Sequence, residues 1–140
     1  MINKFEKQYA FLDNSYPSQI EYENILYPDV ESAFQASKTY DTNLRVQIAR
    51  AGREGCSKLC GSLIKPYEDW NDKEILLNLL RQKFYKFNFA AKLLATSNEQ
   101  LVYGNYHCEN HYGSCLCEKC NNTGTNLVGK LLMQIREELK

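Results

Sequence analysis

The chain has 140 residues, 44% of them apolar, and its 17 basic and 17 acidic side chains cancel to a formal net charge of zero. A chain of this length buries a sizeable core within one domain, so residues 1–140 read as a single domain. The charge balance excludes a nucleic-acid coat or a membrane-surface binder that works through bulk charge.

The segment from Met1 to Glu6 lacks the apolar run of a signal peptide, and no stretch has the length of a membrane span. A cytoplasmic protein is expected, and in that reducing setting its six cysteines would not form a disulfide framework. Residues 9–27 alternate aromatic or aliphatic with polar residues around Asp13-Asn14, Pro17-Ser18 and Glu23-Asn24, which predicts short strands with a hairpin near Ile20 to Tyr27. Pro28-Asp29 opens a helix with Val30, Ala33, Phe34 and Ser37 on one face and Glu31, Gln35 and Lys38 on another. From Thr42 to Leu63 two shorter helices are expected, broken near Gly52 and Gly55 and ended by Gly61. A stronger helix starts near Asp69-Trp70, carries Ile75, Leu76, Leu79, Leu80 and Phe84 as a core element, and continues through Phe87 to Leu94. Leu101 to Tyr106 is a strand candidate, followed by an irregular loop over 107–124. Asn126 then caps a last helix with Leu127, Leu131, Leu132, Ile135 and Leu139 on one face and Lys130 and Arg136 toward solvent. This pattern is α+β, mostly helical, with a few short strands and a Cys-rich loop.

That loop carries the clearest chemical signal. Cys115, Cys117 and Cys120 stand in a C-x-C-x-x-C spacing, and Cys108 lies just upstream. Zinc takes about four soft or borderline ligands in a tetrahedron, and a polar loop gains its order from such a clip. His107 and His111 compete for the fourth position. A closed set of four ligands would make the zinc structural, since no position remains for activated water. Cys56 and Cys60 read as core packing.

No phosphate-binding loop, nucleophile elbow, kinase signature or dinucleotide fingerprint is present. The remaining polar and aromatic candidates are Asn14, Glu31, Gln35, Lys38, Trp70, Glu109 and Asn126. Taken one at a time these are a turn residue, a solvated helix face, a core anchor, a neighbour of the thiols and a helix cap.

Their order along the chain resembles a known family. Phe11-Leu12-Asp13-Asn14-Ser15-Tyr16-Pro17 is similar to the F-L-S-N-F-Y-P opening of the NADAR (YbiA-like) family, and the run from Tyr27-Pro28-Asp29 to Lys38 is similar to its Y-P-S-V-E-H-A-Y-Q-A-x-K helix. Trp70 to Lys73 and Lys83-Phe84 resemble its W-x-x-x-K and K-F blocks, and Leu93-Leu94-Ala95-Thr96 with Leu101-Val102 resembles L-L-A-T and L-V-E. Gly124 to Met133 is similar to G-x-N-x-L-G-x-L-L-M. The blocks run in order from about residue 9 to the end.

The resemblance implies a mostly helical α+β fold and N-glycosidase activity on ribosides, with riboflavin-pathway intermediates or ADP-ribosyl groups as substrates, the latter on a base or on nucleic acid. It implies catalytic roles for Glu31, Trp70 and Glu109, with Asn14, Gln35, Lys38, Tyr112 and Asn126 binding substrate. A non-catalytic binder or sensor of ADP-ribose or NAD-derived nucleotides is the alternative. Three departures stand out: Ser32 replaces a common histidine, Tyr112-Gly113 replaces a W-G pair, and Glu109 replaces an aspartate. The cysteine loop resembles the W-G-x-C-x-C-x-x-C of one branch, where a histidine often takes the place of Cys108. That exchange implies Cys108, Cys115, Cys117 and Cys120 as the zinc ligands.

Overall fold

The computed structural model describes residues 1–60 and 64–140, and for residues 53–60 the backbone alone. It contains two compact units, one made of Met1–Asp13 with Phe84–Lys140 and the other of Asn14–Lys83.

In the second unit β1 (Ile20–Tyr22) and β2 (Ile25–Tyr27) pair antiparallel with Ile20 opposite Tyr27. The predicted hairpin therefore forms, and its two-residue turn places Glu23 and Asn24 at φ 46° and 70°. Left-handed residues match the twist of the flanking strands. Helix α1 (Val30–Ala36) starts where Pro28-Asp29 predicts, because Asp29 accepts the Ser32 N–H at 2.7 Å as an N-cap. Val30, Ala33 and Phe34 of α1 and the capping Ser37 are buried, as the pattern requires. Helix α1 packs on the hairpin and on α2 (Thr42–Cys60). Gly52 breaks α2 with φ 69° and ψ −170°, a backbone state that glycine adopts without steric cost. Gly55 lies inside the run that follows, while Gly61 and the side chains of Cys56 and Cys60 lie outside the described residues. Helix α3 (Asp72–Phe84) begins slightly later than expected, where Asn71 accepts the Glu74 N–H at 3.1 Å. Its Leu76, Leu79, Leu80 and Phe84 are buried.

In the first unit Ile2 bridges Leu101 in parallel. Residues 9–12, expected as strand, lie instead in a 3-10 helix (Lys7–Leu12) that buries Phe11 and Leu12. The three-residue repeat brings the Phe11 ring within 6.4 Å of Phe84, which in turn meets Phe89 at 5.9 Å. Helix α4 (Phe87–Ala95) packs on α5 (Leu127–Glu138). Strand β3 (Gly104–Asn105) pairs in parallel with β4 (Ser114–Cys115), so the expected 101–106 strand is reduced to these two residues and the Leu101 bridge. Leu127, Leu131, Leu132 and Ile135 are buried and Lys130 is exposed as predicted, but Arg136 is not on the solvent side. It is buried and donates to Thr96 Oγ1 at 2.8 Å. No helix among the described residues is long and apolar enough to cross a membrane.

Candidate active site and cysteine cluster

Helix α1 assembles the first group of candidates. Glu31 stands in its first turn, where the helix dipole favours negative charge, and its N–H donates to the Asn14 carbonyl at 3.0 Å. Gln35 lies one turn on, and its Nε2 donates to Glu31 Oε1 at 2.8 Å. The spacing that reads as a solvated stripe is thus a half-buried hydrogen-bonded row. Two atoms in it lack a donor: Asn14 Oδ1 and Gln35 Oε1 are both buried and without a partner. An unsatisfied buried acceptor costs about 1–3 kcal/mol.

Trp70 is held from the same helix. Its Nε1 donates to Ser37 Oγ at 2.9 Å, and its ring lies tilted on Phe34 at 5.2 Å. Lys38 Nζ sits 5.5 Å from the indole centroid and 6.0 Å from that of Phe34, a cation–π arrangement that braces the lysine stem over both rings. Asn14, Glu31 and Gln35 are therefore joined by hydrogen bonds, and Lys38 and Trp70 by a ring contact, around α1 and its C-terminal cap.

Beneath the end of α1, Arg45 is buried and donates its Nε to the carbonyls of Ala36 at 3.2 Å and Thr39 at 2.8 Å. Its Nη1 pairs with Glu23 at 2.7 Å, and its guanidinium lies 5.3 Å from the Tyr22 ring. The hydrogen bond from Arg45 holds the Glu23 carboxyl below its usual value, while burial and the Glu23 charge push the Tyr22 phenol up to about 12. Arg45 thus satisfies carbonyls that a helix end leaves open.

The second group lies in the other unit and is organised by Glu109. Its Oε1 accepts the N–H groups of His111 and Tyr112, each at 2.9 Å, and its Oε2 accepts that of Gly113 at 2.7 Å. Asn105 clasps the same residue, donating to its carbonyl at 2.7 Å and accepting its N–H at 3.1 Å. Glu109 is therefore the hub of a tight turn that presents the half-buried Tyr112. Gly113 is required there, since a Cβ would fall 2.1 Å from the Tyr103 carbonyl. Asn126 stands at the N-cap of α5, but in a left-handed conformation with φ 57° and without a capping bond. Its side chain instead donates to the Leu101 carbonyl and accepts the Tyr103 N–H, both at 2.9 Å. The cap expected from its position is replaced by a clasp on the 101–103 segment.

The four loop cysteines converge. The sulfurs of Cys108, Cys115, Cys117 and Cys120 all lie within 4.8 Å of one another, and neither His107 nor His111 belongs to the group. A tetrahedral zinc with Zn–S near 2.3 Å needs sulfurs about 3.8 Å apart, so the donor set is compatible with a structural metal. Cys108 takes a left-handed φ of 63° to reach the others, a backbone conformation uncommon for residues other than glycine. Asn110 braces the cluster, accepting the Cys115 N–H at 2.8 Å and approaching Cys120 Sγ at 3.5 Å. Hydrogen bonding and charge from Cys120 push the Cys108 thiol up to about 12, while a backbone hydrogen bond from Cys120 lowers Cys117 to about 7. Four thiolates do not ionise together at this separation without a cation among them.

Several residues of these networks were absent from the sequence-derived site. Ser37 read only as an inner-face residue, although a hydroxyl on the buried side of a helix needs a partner. Arg45, Asn105 and Asn110 carried no motif of their own. Lys83 is fully buried with its Nζ 5.7 Å from the Tyr16 ring centroid, and only its place in a K-F block singled it out.

Comparison with known proteins agrees with this fold. The family model described as the NADAR domain matches residues 2–140. A riboflavin biosynthesis protein of Vibrio vulnificus is 28% identical over 96% of this chain, which spans 37% of that relative's length. The N-glycosidase YbiA of Shigella boydii is 32% identical over 81% of the chain and 71% of its own length. The NMR structure of the Escherichia coli protein YbiA superposes with a TM-score of 0.81 at 26% identity, covering 99% of this chain and 84% of that one.

Proposed function

This chain belongs to the NADAR family, and on that premise we propose that residues 1–140 act as one N-glycosidase domain that hydrolyses the bond between a ribose and a base. The substrate class is an ADP-ribosyl group on a base such as guanine, free or within nucleic acid, or a related nucleotide riboside of riboflavin synthesis. The name of the Shigella relative supports the reaction type and that of the Vibrio relative the riboside alternative.

The observation that carries this reading is the Glu31 carboxylate, ordered by Gln35 at 2.8 Å within a row that also includes Asn14. Cleaving a ribosyl N-glycosidic bond builds positive charge at the anomeric carbon and negative charge on the departing base. Glu31 stabilises the first and orients or deprotonates the attacking water. Trp70, fixed in plane by Ser37, stacks on the base or walls the ribose. Lys38 supplies positive charge beside it for a phosphate oxygen. Glu109 acts as a positioning residue, because its two oxygens are engaged by three backbone N–H groups of the turn that carries Tyr112. Tyr112 and Asn126 are proposed as substrate-binding residues of their own unit, where Asn126 clasps the 101–103 segment.

The metal assigned to Cys108, Cys115, Cys117 and Cys120 is zinc, held as a structural ion by a closed set of thiolates. The test of the substrate class is a panel of ADP-ribosylated guanine nucleic acid, NAD, ADP-ribose derivatives and 5-amino-6-ribosylaminouracil phosphate, with release of base followed by mass spectrometry. Release from one class names the substrate, and release from none contradicts the proposal.

A further inference from the structure

Segments 37–40 and 67–70, both in the unit Asn14–Lys83, are clasped to each other at two ends. At one end Trp70 Nε1 meets Ser37 Oγ at 2.9 Å; at the other the Tyr40 ring stacks on Tyr67, with centroids 4.3 Å apart and planes 26° from parallel. Tyr67 and Trp70 are the first and last residues of a turn closed by the Trp70 N–H on the Tyr67 carbonyl at 3.1 Å. Such a turn keeps its end Cα atoms within about 7 Å of each other.

Tyr67 covers one face of the Tyr40 ring, yet Tyr40 is 69% exposed, so the other face is open. The backbone on both sides of it is pinned. The Thr39 carbonyl accepts Arg45 Nε at 2.8 Å, and Asp41 Oδ1 accepts the N–H groups of Asn43 and Leu44 at 3.0 and 3.2 Å. A ring that is exposed but already held adds little to the core and loses little freedom on binding. Asp41 next to it and Glu68 and Asp69 in the turn are exposed acids. They repel a phosphate, so the open face suits an uncharged π surface.

We propose that the open face of Tyr40 stacks a second nucleobase of the substrate, beyond the base or ribose at Trp70. The inference rests on the ribosyl reading above and deepens it. Every base has a π face, so such a platform takes whichever base the substrate brings there. Two sources share this chemistry: the adenine of an ADP-ribosyl group, and the neighbour of the modified base in a nucleic-acid strand.

The experiment compares wild type, Tyr40→Ala and Tyr40→Phe in two assays. Calorimetry measures binding of ADP-ribose and of ribose 5-phosphate, which lacks the base. Base release gives KM for a single strand carrying ADP-ribosylated guanine, with its neighbours intact or abasic. Tyr40→Phe keeps the ring and is expected to match wild type in both. If adenine is the partner, Tyr40→Ala weakens ADP-ribose about tenfold and leaves ribose 5-phosphate unchanged. If a flanking base is the partner, ADP-ribose binding is unchanged and KM rises about tenfold on the intact strand but not on the abasic one. Trp70 emission at the wild-type position shows that the turn is intact; where Tyr40→Ala shifts it, Tyr40→Leu, which keeps an apolar group over Tyr67, takes its place. Neither effect, or an equal loss in Tyr40→Phe, overturns the platform. Base release by wild type that is indifferent to Tyr40 sinks the platform and leaves the glycosidase reading intact, whereas ADP-ribose binding that follows Tyr40 without base release does the reverse.

Discussion

Trp70 donates its indole N–H to Ser37 Oγ at 2.9 Å, and Ser37 donates in turn to the Phe34 carbonyl at 2.6 Å. The plane of the ring is thus set by a helix that also carries Glu31. Trp70 is the one tryptophan of the chain, so its fluorescence reports on this site alone.

Ser37→Ala should release the indole from that chain of bonds at a cost of about 1 kcal/mol in stability. Trp70 emission should shift, and kcat/KM should fall about 3–10-fold, while Ser37→Thr, which keeps the hydroxyl, should retain most of both. Unchanged emission in Ser37→Ala would show that Phe34 and Lys38 hold the ring without it.

Glu109→Gln replaces one carboxylate oxygen by an NH₂ group, which must oppose an N–H donor in the turn at His111, Tyr112 or Gly113. A loss of about 2–3 kcal/mol is expected, the weight of a hydrogen bond to a charged group. Backbone hydrogen exchange should quicken over 109–113, and kcat should fall with the shape of its pH profile retained. Exchange at the wild-type rate together with the loss of one limb of that profile would instead assign proton transfer to Glu109.

Purified protein should carry about one zinc per chain. Chelation or Cys117→Ser should remove it and lower Tm by about 5–10 °C, as for a loss of about 2 kcal/mol, with order lost first over residues 108–120. A metal-free wild type of undiminished Tm would refute the site.

The Arg45–Glu23 pair predicts a particular acid response. Its Glu23 carboxyl is held below the ordinary value of 4.5, first by the hydrogen bond from Arg45. The stability it contributes is therefore fully present above pH 4.5 and is lost as pH falls through the lower, folded value. The Glu23 side chain is 55% exposed, so solvent screening keeps the effect small. The Tm difference between wild type and Glu23→Gln should close as pH is taken from 6 to 3, and a difference constant across that range would contradict the assignment.

Much of this was legible in the residues because it depends on local pattern. The α1 faces, the Glu23-Asn24 hairpin and the Gly52 break follow from period, turn chemistry and glycine, and each forms where expected. Residues 9–12 misled because alternating Tyr9, Phe11 and their neighbours satisfy a strand, while the 3-10 helix that forms is set by burial of Phe11 and Leu12. Asn126 and Arg136 misled for a related reason. Each has the residue type of a cap or a solvent-facing charge, yet each is used for a partner distant in sequence, Leu101 and Thr96 respectively. In the site, the cysteine cluster was legible from spacing. The roles of Ser37, Arg45 and Asn110 were not, because a single hydroxyl, guanidinium or amide gives no periodic signal until its partner is in place.

The central claim is that the Glu31 carboxylate drives cleavage of a ribosyl N-glycosidic bond, and it is tested most directly by comparing wild type with Glu31→Gln on ADP-ribosylated guanine nucleic acid. Base release is followed by mass spectrometry, with Tm and ADP-ribose binding measured on the same preparations. The account predicts release by wild type and a loss of about 100-fold or more in the variant, with folding and binding retained. Full turnover by a folded Glu31→Gln protein would contradict it.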